Sequence, residues 1–420
     1  MLLATASISR ARPPRPASFR RWQHELMRHG TLPIIGVAGS RGKSTVIRMI
    51  DAVLKSAGLR SAIWTNTGVE ILGRRQRGEL GAWSQALERL ATGSIDVAIQ
   101  ELDWAMVNAV GLPPASYATI AVTNLCGNSE ACLLDEHTRS AFKAMPKLLD
   151  AVAEHGALVL NLDDYQLASG HPREAALTFV TAVSKDSPIL RERLSQRQYG
   201  VWLEQETLVF GDSLKLPATP VIDFDHLPLT LGGDAMFEAS NAMTAIAICL
   251  SMGLDVPSIQ DGLNGFECDP KTMPGSFNCF TYNGARVVVD RIDPSWFLRP
   301  VLRAINPGGN TRQVTVVGPL TDFPLDDVKE VGRLLGRYVG GILVHSSDDD
   351  DWLREFRQGV STNRVPPVIA HLPTERRAIN RLLKNAHEGD ALLILTSAPT
   401  TAIRAIQRSL NAELADTATV

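Results

Sequence analysis

Residues 32–45 read LPIIGVAGSRGKST, and this stretch decides the fold. Leu32–Ala38 is an apolar run of strand length, and Gly39-Ser40-Arg41-Gly42 is a glycine-rich turn. Lys43-Ser44-Thr45 then opens a segment, Ser44–Ala57, with helical apolar spacing that stops at Gly58. Strand, glycine turn, Lys-Ser and helix in that order form a phosphate-binding loop. The glycines let the backbone curl so that N–H groups converge on phosphate oxygens, and the helix adds the positive end of its dipole. Lys43 can reach the terminal phosphates, and the Ser44 hydroxyl can ligate Mg²⁺. The general pattern places its first glycine where this chain has Val37; here that glycine stands closer, at Gly39, so the loop is a tighter variant. The candidate nucleotide-binding residues are therefore Gly39, Ser40, Arg41, Gly42, Lys43, Ser44 and Thr45.

Outward from the loop, the same alternation continues. Asp96–Gln100 (within IDVAIQE), Tyr117–Asn124 (YATIAVTN) and Ala157–Asn161 (ALVLN) read as buried strands, and Ala141–Glu154 as an amphipathic helix ended by Gly156. Strands alternating with helices predict an α/β fold, a P-loop domain with a central, mostly parallel sheet. Residues 165–235 are less regular and predict a few antiparallel strands appended to it. Asn241–Met252 returns to helix, and the Pro- and Gly-rich Phe266–Asn278 reads as a linker. Beyond it, RVVVD (Arg286–Asp290), QVTVV (Gln313–Val317), GILV (Gly341–Val344) and ALLIL (Ala391–Leu395) predict a smaller, Rossmann-like α/β domain. The expected division is a basic arm at 1–32, an ATPase domain at 33–270 and a C-terminal domain at 280–420.

Composition narrows the function. Lys plus Arg is 42 against 45 Asp plus Glu, a net charge of −3, which excludes the basic surplus of a dedicated nucleic-acid binder. No stretch reaches the ~18 apolar residues of a membrane span. The five cysteines carry no CxxC spacing, so a reduced, cytoplasmic protein is expected rather than a zinc site or a disulfide framework. Among the nine histidines no HExxH occurs, and no GxSxG hydrolase elbow is present. Arg10, Arg12, Arg15, Arg20 and Arg21 stand without an acid before residue 25. That arm reads as a solvated basic tail, with a transit peptide or membrane-surface segment as alternatives.

The loop Gly39–Thr45 resembles the G-T-x-G-K-[ST]-[ST] loop of the Mur ligase superfamily, with Ser40 in the first Thr place. Thr67-Gly68 falls where the capsular poly-γ-glutamate synthetases of that superfamily carry a T-G. Thr123-Asn124 matches its V-T-N, and GALVLNLDD (Gly156–Asp164) its G-x-x-V-L-N-x-D-D. Asn241 matches the N-x-x-A-A helix, Pro274–Asn278 (PGSFN) the P-G-R-F-N of cyanophycin synthetase, and Asp293-Pro294-Ser295 the N-D-P-x-S of the capsular enzymes. The likeness runs over about 33–400. It leaves the amino-terminal UDP-substrate domain of the cell-wall ligases without a counterpart.

The resemblance implies an ATP-dependent amide ligase working through an acyl phosphate on an amino acid or amino-acid polymer, with ATP and Mg²⁺. It implies Lys43, Glu101 and Asp293 as catalytic residues, Ser44 and Glu101 as metal ligands, and Asn241 beside the nucleotide. It leaves open a membrane-protein or ligase partner and an oligomer. The chain also departs from the family. The Asp-His pair after V-T-N falls near Asn128 and Ser129, with Glu130 adjacent; the arginine of P-G-R-F-N is Ser276; the H-N before the helix Asn is Phe237-Glu238. The carbamylated lysine of the cell-wall enzymes has no counterpart in register, which falls at Met145 or Pro146 between Lys143 and Lys147. A nucleotide-binding pseudoenzyme or partner subunit is therefore the alternative, with an unrelated P-loop ATPase or kinase as a third reading.

Overall fold

The computed structural model describes residues 17–126, 136–168, 177–305, 311–345 and 351–417. These divide into two compact units. Of the described residues, the first holds those up to Leu125, Arg139–Asp223 and Ser240–Phe266; the second holds Cys126, residues 136–138, Phe224–Ala239 and those from Glu267 onward.

The first unit is built on an 11-stranded sheet. Its strands are β1 (Ile34–Ala38), β2 (Ser61–Thr65), β3 (Gly68–Ile71), β4 (Arg74–Arg75), β5 (Val97–Leu102), β6 (Tyr117–Val122), β7 (Val152–Asn161), β8 (Leu177–Ala182), β9 (Tyr199–Glu204), β10 (Thr207–Gly211) and β11 (Thr219–Asp223). The order is β11-β10-β9-β8-β7-β6-β1-β5-β2-β3-β4. From β9 across to β2 every pairing is parallel, and the two ends, β9-β10-β11 and β2-β3-β4, are antiparallel. Both faces of the central strands are covered, so they are continuous apolar runs: all six residues of β6 are buried. β1 lies between β5 and β6, and the chain leaves its carboxyl end for helix Lys43–Ser56. Val46, Ile47, Met49, Ile50, Val53 and Leu54 are wholly buried on that helix, the one-sided spacing of its sequence made into packing.

The antiparallel strands expected over 165–235 are β9, β10 and β11, whereas β8 continues the parallel part of the sheet. The helix expected over Ala141–Glu154 is Glu136–Ala151, and β7 begins directly at Val152. Within the stretch read as a basic arm, Ala17–Arg28 is a helix that buries Phe19 and Leu26.

The second unit carries a six-stranded sheet, with β12 (Asn278–Tyr282), β13 (Ala285–Arg291), β14 (Gln313–Val317), β15 (Gly341–His345), β16 (Val368–Leu372) and β17 (Ala391–Thr396) in the order β12-β13-β17-β14-β15-β16. Only β12–β13 is antiparallel. Alternation along β13 sorts its valines onto two faces: Val288 packs with Leu298, Leu302 and Phe356, while Val287 and Val289 pack with Ile379, Leu382 and Ile403. This is a Rossmann-like layer of helices on both sides of a sheet.

Phe266–Asn278 is more than a linker. Asn278 is fully buried; its carbonyl oxygen accepts from Gly275 N at 2.7 Å and its amide donates to the carbonyls of Cys268 (3.1 Å) and Met273 (3.0 Å). Phe277 N donates to the buried Asp290 carboxylate at 3.1 Å. The P-G-S-F-N stretch is therefore a turn pinned from inside the second unit.

Among the described cysteines, Cys249, Cys268 and Cys279 are free thiols and burial raises the pKa of each. Cys126 is disulfide-bonded, a departure from the wholly reduced chain that the cysteine spacing suggested. No described helix is long and apolar enough to cross a membrane.

Candidate functional site

The loop Gly39–Thr45 sits at the carboxyl end of β1, where a parallel sheet leaves backbone amides and helix ends facing outward. Gly42 stands at the N-cap of the following helix at φ 84° and has no side chain with which to cap it, and the first turn carries no acid. The opening amides have no partner within the helix by construction, which suits this end to an anion. The amides of Ser40 and Arg41 are not part of it. Ser40 N donates to the Asn124 carbonyl at 3.0 Å, and Arg41 N to the Asn124 side chain at 3.0 Å.

Both glycines are required by what touches them. Gly39 has φ 146°, and a Cβ there would lie 1.9 Å from Thr123 Oγ1; Gly42 has φ 84°, and a Cβ would lie 2.1 Å from Asn241 Oδ1. Thr123 Oγ1 instead donates to the Arg41 carbonyl at 2.6 Å, and the Asn124 amide donates to the same oxygen at 3.1 Å. The loop is thus held to the end of β6 by two consecutive residues. We expect Gly39→Ala to break the Thr123 bond and strain the backbone, lowering stability by about 1–3 kcal/mol. Chemical denaturation of the variant checks this, and a wild-type midpoint refutes it.

Glu101, on β5, meets the loop from the neighbouring strand. Ser44 Oγ donates to Glu101 Oε2 at 2.6 Å, the Asn66 amide donates to the same oxygen at 3.0 Å, and Lys43 Nζ lies 3.7 Å from Oε1. Lys43 also donates to the Gly39 carbonyl at 2.8 Å, so its side chain folds over the loop. A hydroxyl and a carboxylate side by side are the hard oxygen donors that a small divalent cation takes, with waters and phosphate oxygens filling the other positions. No cluster of three or more His, Cys, Asp or Glu suited to a metal occurs among the described residues.

The residues singled out from the sequence are therefore mostly together. Gly39, Ser40, Arg41, Gly42, Lys43, Ser44, Thr45, Glu101 and Asn241 all belong to the first unit. Asp293 belongs to the second, half-buried just before helix Ser295–Ile305. That helix is anchored by a different acid. Ser295 N and Oγ donate to Asp327 Oδ1 at 3.1 and 2.5 Å, a pairing across 32 residues that no local signal announced. Asn128, Ser129 and Glu130 lie outside the described residues. Lys147 Nζ donates to the carbonyls of Val107 (3.3 Å) and Asn108 (2.8 Å) in helix Trp104–Val110, a cation on helix carbonyls.

Several supporting residues were visible in the quoted motifs without a role. Asn161 donates to the Thr123 carbonyl at 2.8 Å, and Asp164 accepts from Leu125 N at 2.7 Å, so GALVLNLDD holds the strand end that holds the loop. Asp163 accepts from Val183 N at 2.9 Å, and burial raises its pKa. Trp104, fully buried, donates to Ser40 Oγ at 3.3 Å. Nothing in the local sequence marked Trp104.

No protein-family profile matches the chain. Among curated proteins, it is 23% identical over 391 residues to a cyanophycin synthetase of Trichormus variabilis, covering 90% of this chain and 42% of that protein. It is 23% identical over 382 residues to a UDP-N-acetylmuramoyl-L-alanyl-D-glutamate–2,6-diaminopimelate ligase of Thermosynechococcus vestitus, covering 86% of this chain and 71% of that one. The chain thus spans less than half the length of the first relative. Among solved structures, it resembles a bifunctional folylpolyglutamate synthase/dihydrofolate synthase of Yersinia pestis complexed with AMPPNP and Mn ion. The TM-score is 0.61 at 15% identity, over 97% of this chain and 96% of that one. The chain is thus similar in sequence to ligases of the Mur ligase superfamily and shares the fold of a folylpolyglutamate synthase, with the phosphate loop and the two α/β units in the same order.

Proposed function

We propose that the chain is an ATP-dependent amide ligase that activates a carboxylate as an acyl phosphate and joins it to the amine of an amino acid or amino-acid polymer, with Mg²⁺ at Ser44 and Glu101. The observation that carries this reading is the convergence of Lys43, Ser44 and Glu101 at the end of β1 and β5. The absence of a Cβ at Gly39 and Gly42 lets the loop pack closely on Thr123 and Asn241, and the helix that follows starts at Lys43 with no acid in its first turn, an end suited to phosphate. A bound divalent ion would supply charge neutralisation on the phosphates. Lys43 adds a cation to the same oxygens, and the helix end orients them. The chain's relatives by sequence and fold are ligases by name, which supports the same class.

A second reading is a nucleotide-binding partner subunit with weakened catalysis. It is favoured by Ser276 in the place of the P-G-R-F-N arginine and by the buried Glu238 in the H-N place. Incubation with Mg-ATP and pools of amino acids and poly-amino acids, following phosphate release, separates the two. Amino-acid-dependent release supports the ligase. ATP binding without turnover on any pool supports the subunit, and no nucleotide binding refutes both.

Asp293 is proposed to act in turnover. Asn at this position keeps the size and the capping ability of Asp. Asp293→Asn is expected to lower phosphate release by roughly 100-fold, the low end for a positioned catalytic group, with the melting temperature unchanged. Unchanged turnover rejects the role.

A further inference from the structure

We propose that Arg48 is a positioning residue for Glu101: its buried ion pair with Glu70 fixes the β2–β3 turn whose amide holds the Glu101 carboxylate. The inference rests on the reading of Ser44 and Glu101 as the metal side of a nucleotide site.

Arg48 stands one helical turn after Ser44, so the two side chains leave the same side of helix Lys43–Ser56. Its guanidinium is 8% exposed and grips Glu70 with both arms, Nη1 to Oε2 at 2.9 Å and Nη2 to Oε1 at 2.5 Å. Nη2 also donates to Thr67 Oγ1 at 3.3 Å, whereas Nε is buried without a partner. Glu70 lies on β3, and Thr67 lies in the two-residue turn that closes Thr65 against Gly68. The Thr65 and Thr67 hydroxyls are 2.9 Å apart, and Thr67 N donates to Thr65 Oγ1 at 3.3 Å. The turn's other residue, Asn66, is exposed and gives its amide to Glu101 Oε2, the oxygen that also accepts from Ser44. The path from Arg48 to the metal-side carboxylate is therefore continuous: guanidinium, Thr67, turn, Asn66 amide, Glu101.

A buried ion pair is a poor source of stability, because desolvation cancels much of the Coulomb attraction. An apolar pair would fill this space at less cost. What an apolar pair cannot supply is a rigid planar fork that sets the height of the turn above the sheet. Outer partners of metal-side carboxylates act in this manner, and their loss weakens metal affinity by roughly 10–100-fold.

The test uses the full chain and AMPPNP titrated by calorimetry, once with Mg²⁺ and once with EDTA. The ratio of the two affinities measures metal coupling. The double variant Arg48→Met with Glu70→Met removes both charges and leaves neither buried alone. The expected result is an unchanged melting temperature, an EDTA affinity within about 2-fold of wild type, and metal coupling reduced roughly 10-fold. Wild-type coupling in the double variant overturns the proposal, as does a fall in EDTA affinity equal to that in Mg²⁺. Should the double variant fail to fold, Thr67→Val decides, since it removes the hydroxyl that joins Arg48 to the turn, together with its contact to Thr65, and leaves the Arg48–Glu70 pair in place. Reduced coupling at unchanged melting temperature supports the proposal, and full coupling overturns it. A wild-type chain that binds no AMPPNP, or binds it equally with and without Mg²⁺, overturns the underlying reading of the site instead.

Discussion

Lys43→Ala is expected to abolish nucleotide-dependent turnover and to weaken AMPPNP binding by roughly 100-fold, about 3 kcal/mol, while the chain remains folded. Lys43 Nζ is the cation that the loop itself presents, 12% exposed, folded over Gly39 and 3.7 Å from Glu101. Were a triphosphate bound in the loop, the same ammonium would supply its oxygens with a charge-assisted bond in a partly desolvated place. Alanine keeps the backbone amides and the helix end but removes this charge. Structural loss is limited to the hydrogen bond to the Gly39 carbonyl and the long ion pair with Glu101, together about 1–2 kcal/mol, because the six apolar residues that anchor the helix are untouched. Calorimetric titration with AMPPNP and a thermal melt check both halves. Wild-type affinity in the variant removes Lys43 from the site.

Glu101→Gln is expected to separate metal from nucleotide. Phosphate release with Mg-ATP should fall by roughly 100-fold, about 3 kcal/mol, whereas AMPPNP affinity in EDTA should stay within about 2-fold. The amide keeps the size of the carboxylate, and its oxygen can still accept from Ser44 and Asn66. What it loses is the negative charge that a divalent cation needs, where the described residues offer no cluster of three or more His, Cys, Asp or Glu to replace it. In the proposed site the phosphates would be held from the other side, by helix amides and Lys43. Equal loss of affinity with and without metal, or no loss of turnover, would make Glu101 an ordinary strand-end residue.

The two experiments bracket the Arg48 test. Glu101→Gln sets the largest loss of metal coupling the site can show, and Arg48 with Glu70 should give a fraction of it at intact charge on Glu101.

The sequence by itself determined the loop and the order of the elements around it. Those features are local. A phosphate loop is seven consecutive residues between an apolar run and an amphipathic helix, and a strand buried on both faces is a contiguous apolar string. Glu101 was also legible, because it ends such a string. Where elements are only partly buried, the pattern faded. β16 is an edge strand whose Val368 is 77% exposed, and helix Ala17–Arg28 buries only Phe19 and Leu26, so neither carries enough apolar periodicity to be read. β12 was concealed by the Pro and Gly of the turn before it.

Only the tertiary structure decided what holds the loop. Thr123 and Asn124 reach it from β6 across more than 80 residues, and Asn161 and Asp164 brace that strand end across nearly 40 more. Arg48 finds Glu70 over 22 residues, and Ser295 finds Asp327 over 32. The segment Phe224–Ala239 joins the second unit although Ser240–Phe266, which follows it, belongs to the first. The physical reason is common to all of these. A hydrogen bond or ion pair between distant residues leaves no periodic trace in the chain, since each partner's identity is constrained only once folding has brought the other beside it.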